Sequence, residues 1–176
     1  MATEVIFAAD VPSAVTEAEC RALAGLAEGR RALEAGSHFG RSTIALASVA
    51  ELVHAVDWHR GDPWAGEGYS LPAFVENLRR YGVAEKVVVH VGRFEHVAPA
   101  LRDHWFALVF LDGAHGYEDV KRDLGLFATK APAGGHVAVH DYGRFEGVTM
   151  AVEEWAGIAG RRVMVAGESL AVVHIG

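Results

Sequence analysis

The sequence predicts an α/β domain: a doubly wound, mostly parallel sheet with a C-terminal antiparallel hairpin. Three observations predict it. Short apolar runs alternate with stretches of helical period along the chain. A glycine-bearing turn, LEAGSHFGRS at 33–42, joins the first strand directly to a helix. The last two apolar runs, 161–166 and 170–175, flank Gly167-Glu168, which suits a hairpin with one strand reversed.

The elements follow in order. Residues 13–28 read as a helix with Ser13 or Thr16 as N-cap and Ala18, Ala22 and Leu26 on one face. Strand one is 30–35, and a helix spans 41–50. Strand two, LVHAVD at 52–57, ends in an acid. WHRGDPWAGEGY at 58–69 reads as a loop. Ser70 is placed to cap a helix with Leu71, Phe74, Val75, Leu78 and Tyr81 on its face, and Gly82 ends it. Strand three is 86–91, followed by a short helix over 94–101. Strand four is 106–111, apolar throughout, as a strand covered on both faces should be. Tyr117, Val120, Leu124 and Phe127 mark a helix, His136–His140 is strand five, and Val148, Val152 and Trp155 mark the last helix. With no repeat or linker, residues 1–176 are expected to form one domain.

Composition narrows the function. A 51% apolar content excludes disorder. A formal net charge of −7 argues against a general nucleic-acid binder. No run approaches membrane-span length, and the N-terminal MATEVIFAAD lacks a signal peptide's features. The single Cys20 rules out an internal disulfide framework. These features suggest a cytoplasmic protein with a small-molecule partner, no nucleic acid and no membrane.

Ligands of such sheets bind at the carboxyl ends of the strands, near the switch in strand order. Those tips carry Glu34, Gly36, Ser37 and His38; Asp57, Trp58 and His59; Gly92, Arg93 and Phe94; Asp112 and His115; and His140, Asp141 and Tyr142. Core packing does not demand so many ionisable groups on one edge. The strand–glycine–helix turn suits a nucleotide-like ligand, since it exposes backbone N–H groups. Asp57 can accept hydrogen bonds from both hydroxyls of a ribose, or it is a turn or cap acid. Asp112 and Asp141 end neighbouring strands if strands four and five pair, roughly 5 Å apart. Two carboxylates so close call for a cation, unless one caps a helix or pairs with Arg144. His115, three residues past Asp112, is a general base, a metal ligand or a plain loop residue. His140 is a ligand or a structural residue. His38 and His59 are placed to line the pocket, whereas His54, His96, His104, His136 and His174 read as structural or surface. Phe94 stacks on a purine or opens its helix from the core. Trp58, Trp64 and Tyr69 could close over an organic substrate or form an oligomer contact.

Together these motifs resemble the class I S-adenosylmethionine-dependent methyltransferases, in the metal-dependent branch that methylates hydroxyls of small molecules. LEAGSHFGRS is similar to the first motif of catechol O-methyltransferases. LDGAHGYEDVKRDL and GGHVAVHDY look more like macrolide-sugar O-methyltransferases and cephalosporin hydroxylase-like proteins. The resemblance covers roughly residues 30–158. It implies a Rossmann-like fold in which Glu34, Gly36, Ser37 and Gly40 line the methionine end of the cofactor. Asp57 would hold the ribose and Arg93 and Phe94 would lie by the adenine, with Ser42, Trp58 and Asp112 completing the cofactor set. Asp112 and Asp141 would bind a divalent metal, magnesium first and manganese, iron or zinc next, with His140 as a further ligand. His115 stands where these families place a base. His140 departs from the pattern, since relatives often carry an acid there. Relatives also often carry a longer N-terminal cap. Substrate choice would then fall to loops 58–69 and 142–147 or to a partner subunit; dimers are common in such folds, and the aromatic loop is a candidate homodimer contact. Three alternatives stay open: a metal-independent N- or C-methyltransferase, a nicotinamide oxidoreductase (disfavoured by the missing Gly-x-Gly-x-x-Gly), and a non-catalytic cofactor-binding subunit.

Overall fold

The protein is described here by a computed structural model covering residues 4–62 and 66–176; Trp64 lies outside the described residues. Seven strands form the main sheet: β1 (Arg31–Ala35), β2 (Leu52–Asp57), β3 (Val87–Val91), β4 (Leu108–Leu111), β5 (His136–Val139), β6 (Val163–Ala166) and β7 (Leu170–His174). Their order is β3-β2-β1-β4-β5-β7-β6, and β7 runs antiparallel to both its neighbours. The strand order reverses between β1 and β4, which pair in parallel from Ala32–Leu108 to Ala35–Leu111. That switch point sets where a ligand can enter.

Among the described residues six α-helices flank the sheet: α1 (Glu17–Ala27), α2 (Arg41–Val49), α3 (Leu71–Arg80), α4 (Phe94–Val97), α5 (Tyr117–Phe127) and α6 (Glu146–Ile158). Strand alternation sends successive side chains to opposite faces. Ala32, Val53, Leu108 and Ala138 therefore pack with Leu23, Ile44 and Phe74 of α1, α2 and α3. Leu33, Val56, Val109 and Val137 pack on the other face with Leu124, Phe127 and Val152 of α5 and α6. Both faces are apolar because both are covered.

Several boundaries differ from the sequence reading for local reasons. α1 starts at Glu17, not 13, because Thr16 is the N-cap and forms a reciprocal capping box with Glu19. Residues 13–16 instead run as a strap over the sheet edge, held by Arg41, whose guanidinium donates to the carbonyls of Ala9, Ser13 and Val15. Ser70 occupies the N-cap position of α3 but makes no cap bond, since its hydroxyl lies 2.8 Å from His59 Nδ1. The α4 ladder stops at Val97 and tightens into a 3₁₀ turn, Ala98–Ala100, at Pro99, which has no N–H to donate. β5 ends at Val139, one residue early, because the chain turns and Asp141 adopts a left-handed φ of 63°. The loop after β2 carries a small antiparallel ribbon, Gly61–Asp62 with Gly66–Glu67. Among the described residues no helix is long and apolar enough to cross a membrane.

Candidate active site

A cavity of about 570 Å³ opens over the tips of β1, β2, β3 and β4. Its floor is the turn after β1. Gly36 has φ +100°, and a Cβ there would run into the Asp112 carbonyl oxygen. Only glycine lets the β1 and β4 turns come this close. The Ser37 and His38 N–H groups donate to Asp57 Oδ2 at 2.9 and 2.8 Å, and the His59 N–H donates to Asp57 Oδ1 at 2.6 Å. Asp57 thus ties two loops together, and a carboxylate with about four lone-pair sites keeps capacity for a ligand hydroxyl. Ser37 Oγ is buried in the cavity wall with no hydrogen-bond partner.

Gly36, Ser37, Gly40, Ser42, Asp57, Trp58, Arg93, Phe94, Asp112 and His115 all line this cavity, as do Asp141 and His38. Arg93 sits over the Trp58 ring at 4.9 Å, and Phe94 meets Phe127 edge-on. Glu34 does not line it. Its carboxyl is fully buried beneath the turn, accepts from the Thr43 hydroxyl, and burial pushes it up to about 8. His59 is likewise buried and serves the loop, its ring on Ser70.

At the β4–β5 rim, Asp112, His140 and Asp141 offer ligand atoms all within 4.8 Å of one another. His140 Nδ1 is 3.3 Å from Asp112 Oδ1 and 3.3 Å from Asp141 Oδ2, yet aligned for a hydrogen bond with neither. Burial alone would lower His140; the two carboxylates outweigh it and push the ring up to about 10. Burial would raise Asp141, but the His140 ring beside it, with Arg144 adding, holds it below the usual carboxylate range. His115 reaches Asp141 Oδ2 with Nε2 at 2.9 Å and stacks flat on Phe145, centroids 4.2 Å apart. Two oxygens and one nitrogen around one point, with a buried Nδ1 lacking a hydrogen bond, fit a divalent cation.

Three contributors escaped the sequence reading. Glu19 of α1 stands behind His140, 3.3 Å from Nε2. Pro12, Ser13 and Ala14 of the strap wall the cavity. Asp123 of α5 also lines it, and burial pushes its carboxyl up to about 6 despite Arg122 beside it. The Thr16-x-x-Glu19 capping box was visible in sequence, but its second role 121 residues away was not.

A doubly wound sheet with a nucleotide-sized cavity at its switch point defines a cofactor-binding α/β enzyme domain. A family model described as a methyltransferase domain matches residues 33–142, and the chain belongs to that family. Its fold is that of the class I methyltransferases that its motifs resemble. Among solved structures, it is similar to cofactor-bound Rv0187 from MTB, with 25% identity over 96% of this chain and 84% of that one and a TM-score of 0.72. The O-methyltransferase NovP has the same fold, with a TM-score of 0.77, 20% identity, and coverage of 92% and 82%. So does the O-methyltransferase TomG from Streptomyces achromogenes, solved in complex with SAM, at 0.70, 21%, 95% and 82%.

Proposed function

We propose that the protein transfers the methyl group of S-adenosylmethionine to a hydroxyl of a small organic molecule, with Asp112, His140 and Asp141 holding a divalent cation and His115 as the base. The observation that carries this reading is the convergence of two carboxylates and a buried, hydrogen-bond-free His140 Nδ1 within 4.8 Å, with His115 2.9 Å from Asp141. O-methyltransferases such as NovP and TomG share the fold, which favours a hydroxyl acceptor.

Gly36 and Gly40 bring backbone against the methionine end of the cofactor, where the Ser37 hydroxyl lacks any other partner. Asp57 takes the ribose hydroxyls, and Phe94 and the Arg93–Trp58 pair bound the adenine. The cation would supply Lewis-acid stabilisation to the oxygen as it loses its proton. His115 accepts that proton on the ring nitrogen that does not face Asp141, and Asp141 Oδ2, 2.9 Å from Nε2, holds the resulting imidazolium. The substrate oxygen forms its bond to the methyl carbon as the carbon–sulfur bond breaks in line, releasing S-adenosylhomocysteine. Most of the protein's contribution is alignment and exclusion of water. Trp58 and the loop after Asp141 then select the acceptor.

The test is a thermal-unfolding series with S-adenosylhomocysteine or NAD, each with a divalent ion or chelator, followed by turnover on catechol, sugar and polyketide hydroxyls. A ligand at a hundred times its dissociation constant adds about 2.7 kcal/mol, roughly 5–10 °C. Stabilisation by S-adenosylhomocysteine and chelator-sensitive release of it are expected. No shift at saturation would defeat the cofactor assignment. Full turnover in chelator would instead give the cation's place to the His140 imidazolium and make the enzyme metal-independent.

A further inference from the structure

Glu19 is fully buried on α1, and both of its carboxylate oxygens are engaged. Oε1 accepts from the Ser169 N–H at 2.8 Å and from the Ser169 hydroxyl at 3.0 Å. Oε2 accepts from the Thr16 N–H at 2.8 Å and its hydroxyl at 2.9 Å, and lies 3.3 Å from His140 Nε2. The hairpin turn closes over it: a Cβ on Gly167 would sit 2.5 Å from Glu19 Cγ. The carboxylate therefore cannot turn away, and it fixes an acceptor in front of Nε2. When a cation takes the place of one His140 proton, the proton that remains is held on Nε2. Nδ1, buried and without a hydrogen bond, then presents its lone pair between Asp112 and Asp141.

We infer that Glu19 is a positioning residue that sets the His140 tautomer, and that it makes the Asp112–His140–Asp141 site one for a first-row transition ion rather than for magnesium. A carboxylate on the remote nitrogen of a ligating imidazole orients the ring and raises its basicity. An imidazole donor suits manganese, iron, cobalt or zinc, whereas magnesium takes oxygen ligands and keeps its waters. The inference rests on the cation reading proposed above. It adds a residue and a metal class to it.

The experiment uses the full chain with Mn²⁺ and Mg²⁺ alone, without turnover. Calorimetric titration measures both affinities, and pulsed electron paramagnetic resonance of bound Mn²⁺ reads nitrogen coupling from a ligating imidazole. In the wild type, Mn²⁺ is expected to bind at least tenfold tighter than Mg²⁺ and to show the nitrogen coupling. Glu19→Ala should lose roughly 10–100-fold in Mn²⁺ affinity together with that coupling. Glu19→Gln keeps a neutral oxygen acceptor and should lose about tenfold; it decides the question if Glu19→Ala does not fold. Mn²⁺ affinity and nitrogen coupling unchanged in the folded variant overturn the role of Glu19. A wild type that prefers Mg²⁺, or binds Mn²⁺ without nitrogen coupling, overturns the metal class. A wild type that binds neither ion brings down the cation reading itself, a result separable from the other two.

Discussion

The two rims of the cavity are built differently. At the β1–β2 rim, polar groups are satisfied by backbone within about twenty residues: Asp57 takes the N–H groups of Ser37, His38 and His59. At the β4–β5 rim, side chains meet partners drawn from across the chain. His140 reaches Glu19 over 121 residues, and Glu19 reaches Ser169 over 150. The first rim is tied together by Asp57 and leaves the Ser37 hydroxyl for a ligand. The second brings Asp112, Asp141 and Glu19 around one imidazole; Arg144 stands beside Asp141 as a fixed cation, and a proton or a metal ion is needed to balance the rest. The difference separates scaffold from chemistry: one rim shapes a pocket, and the other holds charge ready for a reacting oxygen.

Three substitutions break this comparison in different places. Gly36→Ala should have the largest effect, because it adds a clash with the Asp112 carbonyl to a strained φ. A loss of about 3 kcal/mol or more is expected, roughly 6–12 °C in melting temperature. A loss under about 2 °C would mean that the first rim is not rigid. Asp141→Asn should cut methyl transfer by about a hundredfold or more, since Asp141 faces both the cation site and His115. Its binding of S-adenosylhomocysteine should stay within about tenfold of wild type, and a larger loss would erase the division between rims. Asp57→Ala should do the reverse. It strips the acceptor from three N–H groups, so cofactor affinity should fall about 10–100-fold and stability by roughly 1–3 kcal/mol. Unchanged cofactor affinity would reassign Asp57 to a purely structural tie.

The same division governs what was legible in the sequence. Strand β2 was read at its observed bounds, and the strand–glycine–helix turn was recognisable, because both are set by local pattern and by one obligatory backbone approach at Gly36. The acids at the strand tips could be found because parallel pairing carries them to one edge, as the Leu111–Val139 register does for Asp112 and Asp141. Glu34 lies away from the cavity because β1 runs on to Ala35, so its side chain is still governed by strand alternation and goes under α2 onto Thr43. His59 was misplaced for another reason: a left-handed φ of 55° turns it inward onto Ser70. Glu19 and Asp123 were invisible as site residues, since each acts through packing between helices distant in sequence. Glu19 also had a sufficient local explanation in its capping box.

Glu34 offers the finest test, because it belongs to the first rim's sequence motif but behaves like the second rim's chemistry. Its ordinary value is 4.5; burial chiefly, with the Asp112 and Asp57 charges adding, raises it to about 8 against the opposing Ser42 and Thr43 hydroxyls. Between those values the folded chain keeps a proton that the unfolded chain has released. Stability from this group is therefore complete below pH 4.5 and drains as pH rises toward 8. Glu34→Gln reproduces the protonated shape without the titration. The wild type should lose stability relative to the variant by up to about 1.4 kcal/mol per pH unit between roughly pH 5 and 8. Chemical denaturation of both proteins across that range reads the difference directly. Parallel curves would show that Glu34 is ionised in the fold, and that the first rim holds a buried charge after all.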